Sequence, residues 1–131
     1  MTNNEKSLGL IVIDSYQLME YSNLDDYQAQ LERNTKELKN LAKELNVPVL
    51  ITAPISGRVE ERENCRPMLS DIRDSDVLED YGDIIVMLYR DEYYDPETED
   101  RGIAELIVTT HRNGPVGTVK LLFEPQYGRY R

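Results

Sequence analysis

The run Leu8-Gly-Leu-Ile-Val-Ile-Asp14 constrains this chain more than any other feature. It is apolar throughout, rich in branched side chains, and stops abruptly on an acid before Ser15, Tyr16 and Gln17. A short apolar run without alternation predicts a buried strand, as in a parallel sheet covered by helices. In open α/β sheets ligands sit outside the carboxyl ends of the strands, so Asp14 at such a tip is a candidate site residue. The 131 residues and their 40% hydrophobic content predict a single domain over 1–131 with one ordinary core.

Charge and cysteine usage exclude several classes. The 25 acids against 15 bases give a formal charge of −10, which repels phosphate backbones and predicts weak or absent DNA binding by the isolated chain. Cys65 is the single cysteine, which rules out an internal disulfide and a cysteine-based zinc site and suits a reducing cytoplasm. It lies in the charged stretch from Glu61 to Arg66 and reads as an exposed, ordinary thiol. Residues 1–6 lack the apolar core of a signal peptide, and no run of about 18 apolar residues occurs, so a soluble cytoplasmic protein without a membrane partner is expected.

Periodicity alternates between strand and helix along the chain. From Leu24, the positions Leu24, Tyr27, Leu31, Leu38, Leu41 and Leu45 fall at helical spacing, with Thr35 on the same stripe. Ser22 or Asn23 can cap the start, Asp25 and Asp26 suit the positive end of the dipole, and Asn46 with Pro48 closes the helix. Val47 to Thr52 reads as a second buried strand with Pro48 near its start. Pro54 to Ser75 is charged and turn-rich, too polar for a core. Asp76 to Asp80 predicts a short helical turn, Asp83 to Tyr89 a third buried strand, and Arg90 to Arg101 an exposed hairpin tip. Ile103 to Thr109 and Thr118 to Phe123, joined through Asn113-Gly114-Pro115, read as an antiparallel hairpin.

Four collinear segments carry a family resemblance: LIVIDSYQLM (10–19), LKNLAKELNVPVL (38–50), RPMLSDIRDSDVLEDYGDIIVMLYRDEYY (66–94) and GIAELIVTTHRNGPVGTVKLLF (102–123). Together they resemble the C-terminal, RecA-like motor domain of DnaB-type replicative DNA helicases. The resemblance begins just before the Walker B strand of that motor. It implies an α/β fold, a partial RecA-like P-loop NTPase core with a mainly parallel sheet flanked by helices and a C-terminal antiparallel hairpin. It also implies DNA replication and ATP-driven unwinding as the ancestral function, with Mg-ATP as the family cofactor. Asp14 looks like the acid that holds magnesium, and Gln17 follows it in the family's fashion. Arg112 matches a trans-acting arginine finger, and Asn113 and Gly114 follow it in the nucleotide-facing turn.

Departures accumulate at the other positions. The phosphate-cradling pattern G-x-x-x-x-G-K-[ST] occurs nowhere in the 131 residues. Pro54 stands where the family's γ-phosphate-sensing glutamine is expected, and proline offers neither an amide side chain nor an N–H. Thr110 replaces the lysine that accompanies the finger. Gly57 replaces the arginine expected after Ser56, with Arg58 one position later. The DNA-gripping Arg-Glu-Ser-Gly of the family reads Arg73-Asp74-Ser75-Asp76, which puts a carboxylate where glycine lets the backbone approach a phosphate. The isolated chain is therefore expected to need no cofactor and to hydrolyse no ATP.

Ordinary roles compete at each position. A lone strand-end acid such as Asp14 commonly caps a turn, and His111, the single histidine, has no metal-ligand neighbours in sequence. Tyr89, Tyr93 and Tyr94 run into an acidic tip and suit packing over base stacking. Tyr127, Arg129, Tyr130 and Arg131 read as a frayed terminus. The expected partners are further copies of this chain or DnaB-type helicase subunits, because strand edges left without their family neighbour template pairing with another chain. A non-catalytic module that binds a helicase, its loader or itself is the alternative function.

Overall fold

The computed structural model describes residues 7–16 and 27–131, arranged as two compact units, Met1–Pro54 and Ile55–Arg131. Gln17 and the proposed helix start, from Ser22 to Asp26, lie outside the described residues. No described helix is long and apolar enough to cross a membrane.

Among the described residues, the first unit holds a parallel strand pair and one long helix. Strand β1 (Ile11–Ile13) pairs in parallel with β2 (Val49–Ile51), Ile11 opposite Val49 and Ile13 opposite Ile51. Helix α1 (Tyr27–Leu45) supplies the crossover that a parallel pair requires, and it packs on β2. Leu31 and Thr35 are its buried residues, four apart and so on one face, and Thr35 satisfies its hydroxyl by donating to the Leu31 carbonyl at 2.7 Å. Asn46 ends the helix in the left-handed conformation at φ 51°, and the Val47 N–H reaches back to the Ala42 carbonyl at 3.1 Å, satisfying a carbonyl of the last turn.

Burial corrects one expectation here. Leu8, Leu10, Val12 and Leu50 are exposed, Val12 by 55%, so the strands are covered on one face instead of two. Apolar continuity specifies a strand that suits two covers, while the described residues of this unit supply a single helix.

The second unit is an antiparallel sheet in the order β3-β4-β5-β6: Ile84–Tyr89, Ile103–His111, Gly117–Glu124 and Arg129–Tyr130. The expected hairpin is present as β4 and β5, with Ala104 opposite Leu121 and Leu106 opposite Val119. The anticipated mainly parallel sheet is realised only in β1 and β2 among the described residues. The 90–102 connection carries just the four-residue helix α3 (Asp91–Tyr94), too little for a parallel crossover, so β3 turns back on β4 as an antiparallel neighbour. Met87 and Tyr89 are buried, whereas Ile84, Val86 and Leu88 alternate outward, so β3 also has a single covered face.

Two further readings are corrected. The 54–75 stretch contributes to the core, because Val59 and Ile72 are buried and Asp71 is buried with them. Two 3₁₀ turns (Gly57–Glu61 and Leu69–Asp71) and a bridge from Ile55 to Ile72 order it before helix α2 (Ser75–Tyr81). The C-terminal residues are a strand instead of a frayed end. Leu122 and Arg131 exchange both backbone hydrogen bonds at 2.8 Å, Arg129 pairs with Glu124 at 2.6 Å, and the Phe123 and Tyr130 rings meet at 4.8 Å.

Candidate functional site

In the first unit, parallel register brings two strand tips together. The ladder continues past β1, since the Thr52 N–H donates to the Ile13 carbonyl at 3.0 Å and the Tyr16 N–H to the Thr52 carbonyl at 3.1 Å. Asp14 therefore sits beside Thr52, whose hydroxyl donates to Asp14 Oδ1 at 2.5 Å. Asp14 is exposed and Tyr16 buried, so the carboxylate stands at the surface while the chain just after it is anchored. Thr52 is a partner of the candidate acid that the sequence reading missed; the signal was the register of two parallel strands that end together.

In the second unit, the sequence-predicted residues fall at both ends of α2. Asp74 adopts the left-handed conformation at φ 56°, its carboxylate 3.5 Å from Arg73 Nε, and Ser75 and Asp76 form the first turn of the helix. At the other end the Gly82 N–H donates to the Leu78 carbonyl at 2.8 Å; a Cβ at Gly82 would stand 2.6 Å from that oxygen, which explains glycine there. Arg112 comes to this end from the β4–β5 turn. Its N–H donates to the Asp83 carbonyl at 2.9 Å, and its guanidinium Nη2 donates to the Asp80 carbonyl. A bulge between Ile85 and Val86 absorbs the register shift of β4, and Thr109 Oγ1 donates to the Ile85 carbonyl at 3.2 Å. Asn113 is exposed, and Gly114 lies so close to the His111 ring that a Cβ would meet it at 2.3 Å. Pro54, Gly57 and Arg58 are exposed, and the Arg58 N–H caps onto Ser56 Oγ at 3.3 Å.

Buried charge braces the loop that leads into Arg73. Asp71 receives Arg62 through both oxygens, at 2.6 and 2.8 Å, and the Met68 N–H at 2.7 Å. The Arg62 hydrogen bond is the first cause that holds the Asp71 carboxyl below the usual carboxylate range, with the Met68 N–H adding to it. Arg66 pairs with buried Glu105 and lies over the Tyr89 ring at 4.5 Å. Tyr89 donates to Asp91 at 2.6 Å, and Thr98 to the other Asp91 oxygen at 2.5 Å. Burial, then that acidic partner, pushes the Tyr89 hydroxyl well above its ordinary value, while Thr98 and then Tyr89 hold Asp91 low. Cys65 is half-buried, not exposed, and its thiol points to the Arg62 carbonyl at 3.3 Å. Among the described residues no group of three or more His, Cys, Asp or Glu could hold a metal ion.

This α/β fold, with an acid at the tip of a parallel strand and a C-terminal antiparallel sheet, aligns with solved ATPase and DnaB-like helicase structures. A solved ATPase domain aligns at TM-score 0.85 and 45% identity, covering 92% of this chain and 43% of its own. The structure of a DnaB-like replicative helicase and its interactions with primase aligns at the same TM-score and identity, covering 92% and 29%. Among curated proteins, the replicative DNA helicase DnaC of Bacillus subtilis (strain 168) is 46% identical over 128 residues, and the replicative DNA helicase DnaB of Geobacillus stearothermophilus is 44% identical. Each alignment takes 96% of this chain and 28% of the relative's length. The DnaB-like helicase C-terminal domain family matches residues 1–131, and the chain belongs to that family.

Proposed function

We propose that residues 1–131 contribute the magnesium-side acid and a trans-acting arginine to a DnaB-type replicative helicase motor, in which ATP hydrolysis drives DNA unwinding in a cytoplasmic ring. The observation that carries this reading is Asp14, exposed at the tip of β1 and oriented by the Thr52 hydroxyl from the adjacent strand tip. One carboxylate oxygen accepts from Thr52, which leaves the other to face a hydrated ion. A single carboxylate fits Mg²⁺ that arrives with nucleotide phosphates, because Mg²⁺ keeps several waters and takes few protein ligands. When bound, Mg-ATP would supply the phosphoryl group and its bridging charge. Asp14 would hold the ion's water shell, and Gln17 belongs to the same proposed site. Arg112, with Asn113 and Gly114 in its turn, would reach a phosphate on a neighbouring subunit, as fingers do across an assembled interface. Arg73, Asp74, Ser75 and Asp76 are the proposed DNA-facing loop, weakened by the Asp76 carboxylate.

The second reading, a non-catalytic module that binds a helicase, its loader or itself, is favoured by the missing phosphate-cradling pattern together with Pro54, Thr110 and Asp76. Calorimetry and phosphate release separate the two. The 131-residue chain alone is expected to bind no Mg-ATP in the low micromolar range and to release no phosphate. Mixed with a polypeptide that supplies the P-loop half of a homologous motor, it should yield ATPase activity that Asp14→Asn or Arg112→Ala abolishes. No activity in the mixture, with binding to an intact helicase ring, would establish the module instead. Low-micromolar Mg-ATP affinity of the chain alone would overturn both accounts of how its phosphate site is completed.

A further inference from the structure

We infer that Arg112 is a latch on helix α2: one guanidinium closes the C-terminal end of the helix, whose N-cap and first residues belong to the Arg73–Asp76 loop, so the position of Arg112 is felt at that loop. The inference deepens the proposed function, since it rests on reading Arg112 and Arg73–Asp76 as two sites of one motor.

Helix α2 has seven residues, well below the roughly 12–15 at which an isolated helix becomes even marginal in water. Its persistence depends on anchors. Val77 is buried mid-helix, and the Val77 N–H donates to the Asp74 carbonyl at 3.2 Å. At the far end the last turn holds no basic residue of its own; the Gly82 N–H satisfies the Leu78 carbonyl, and the carbonyls beyond it and the negative end of the dipole suit a cationic donor. Arg112 is that donor, on the Asp80 carbonyl, with its own N–H fixed to Asp83. The seven residues span only about 10 Å.

Arg112 is exposed, so an external anion can compete for it. A phosphate is the stronger partner, because it offers charge and a bidentate acceptor where a carbonyl offers neither. Moving the guanidinium onto a phosphate strips the donor from Asp80 and loosens α2 from its C-terminal end. By linkage, a ligand that orders the Arg73–Asp76 end holds Arg112 on Asp80 and weakens its reach for phosphate by the same factor.

Residue-resolved amide hydrogen exchange on the full 131-residue chain tests this without nucleotide or DNA. Arg112→Ala should accelerate exchange at Val77 and Gly82 by about ten-fold, while Leu106 and Val119 in the β4–β5 ladder stay within about two-fold of wild type. Arg112→Gln keeps an N–H donor without the charge and should recover part of the protection. Arg101→Ala, a surface change, should leave α2 untouched. Unchanged α2 exchange in Arg112→Ala overturns the latch, as does acceleration at Gly82 without Val77 or equal loosening of the ladder. Because the readout needs no ATPase activity, a failed latch leaves the motor reading standing, and an inactive mixture leaves the latch standing.

Discussion

Among the described residues, the two units share one problem, apolar strands with an exposed face, and order themselves by different means. Among the described residues of Met1–Pro54, order comes from one helix over a parallel pair, and the buried residues include Leu31, Thr35, Val47 and Tyr16. In Ile55–Arg131 a loop of charged residues folds into the core, and Arg62–Asp71 and Arg66–Glu105 tie it down. The first unit depends on apolar area, so single large residues carry it. The second depends on satisfied charge, because a buried carboxylate left without its partners costs more than it contributes when paired. The proposed site residues divide along the same line: Asp14 sits on the apolar framework, and Arg112 and the Arg73–Asp76 loop sit on the ion-paired one.

The largest effect is expected from Leu31→Ala, which empties a fully buried position and should cost about 3 kcal/mol. Exchange and circular dichroism of α1 should report the loss first, while the β4–β5 ladder keeps its protection if each unit carries its own core. Simultaneous loss of both would break the comparison.

Next comes Asp71→Asn, which leaves Arg62 and the Met68 N–H without a carboxylate and should cost about 2 kcal/mol. This change also sharpens the comparison through pH. A carboxyl whose folded pKa is depressed contributes stability that is present above its unfolded value of 3.8 and is lost as pH falls through the lower folded value. Asp71 and Asp91 both act in that direction, so the second unit should weaken on acidification below that value. Melting followed from neutral to acid pH should show a shallower decline in Asp71→Asn than in the parent. Equal slopes would mean that the ion-paired loop contributes nothing in acid.

The smallest effect belongs to Thr52→Val, which removes one exposed hydrogen bond and should cost less than about 1 kcal/mol. Its value is functional: in the completed motor, ATPase should fall through a disoriented Asp14 with the melting midpoint nearly unchanged. A large loss of stability would make Thr52 a structural pillar of the apolar unit and erase the contrast.

Element type was legible in the sequence wherever local pattern decides it. The stripe through Leu31 and Thr35, the β-branched run at Ile11–Ile13 and the turn residues between β4 and β5 each carry their own periodicity or turn chemistry. Coverage was not legible. Val12, Leu50, Val86 and Leu88 are as apolar as core residues, and only the number of helices over each sheet decides which of them meets water. Polar core was equally hidden, since Asp71 and Glu105 resemble surface acids until a loop brings Arg62 and Arg66 to them. For the site, Asp14 could be found from its place at a strand tip. Thr52 required a register, and the Arg112 contact with Asp80 involves a main-chain carbonyl that no side-chain pattern can announce.

The half-buried thiol of Cys65 gives the ion-paired loop its own chemical clock. It is the single cysteine of the chain, and its hydrogen bond ends on the carbonyl of the arginine that grips Asp71. A thiol reagent reaches such a sulfur fully only when the surrounding segment opens, so the rate of labelling measures how often that opening occurs under native conditions. With no second thiol to confuse the signal, a single mass shift per molecule turns the breathing of residues 57–72 into a directly counted event.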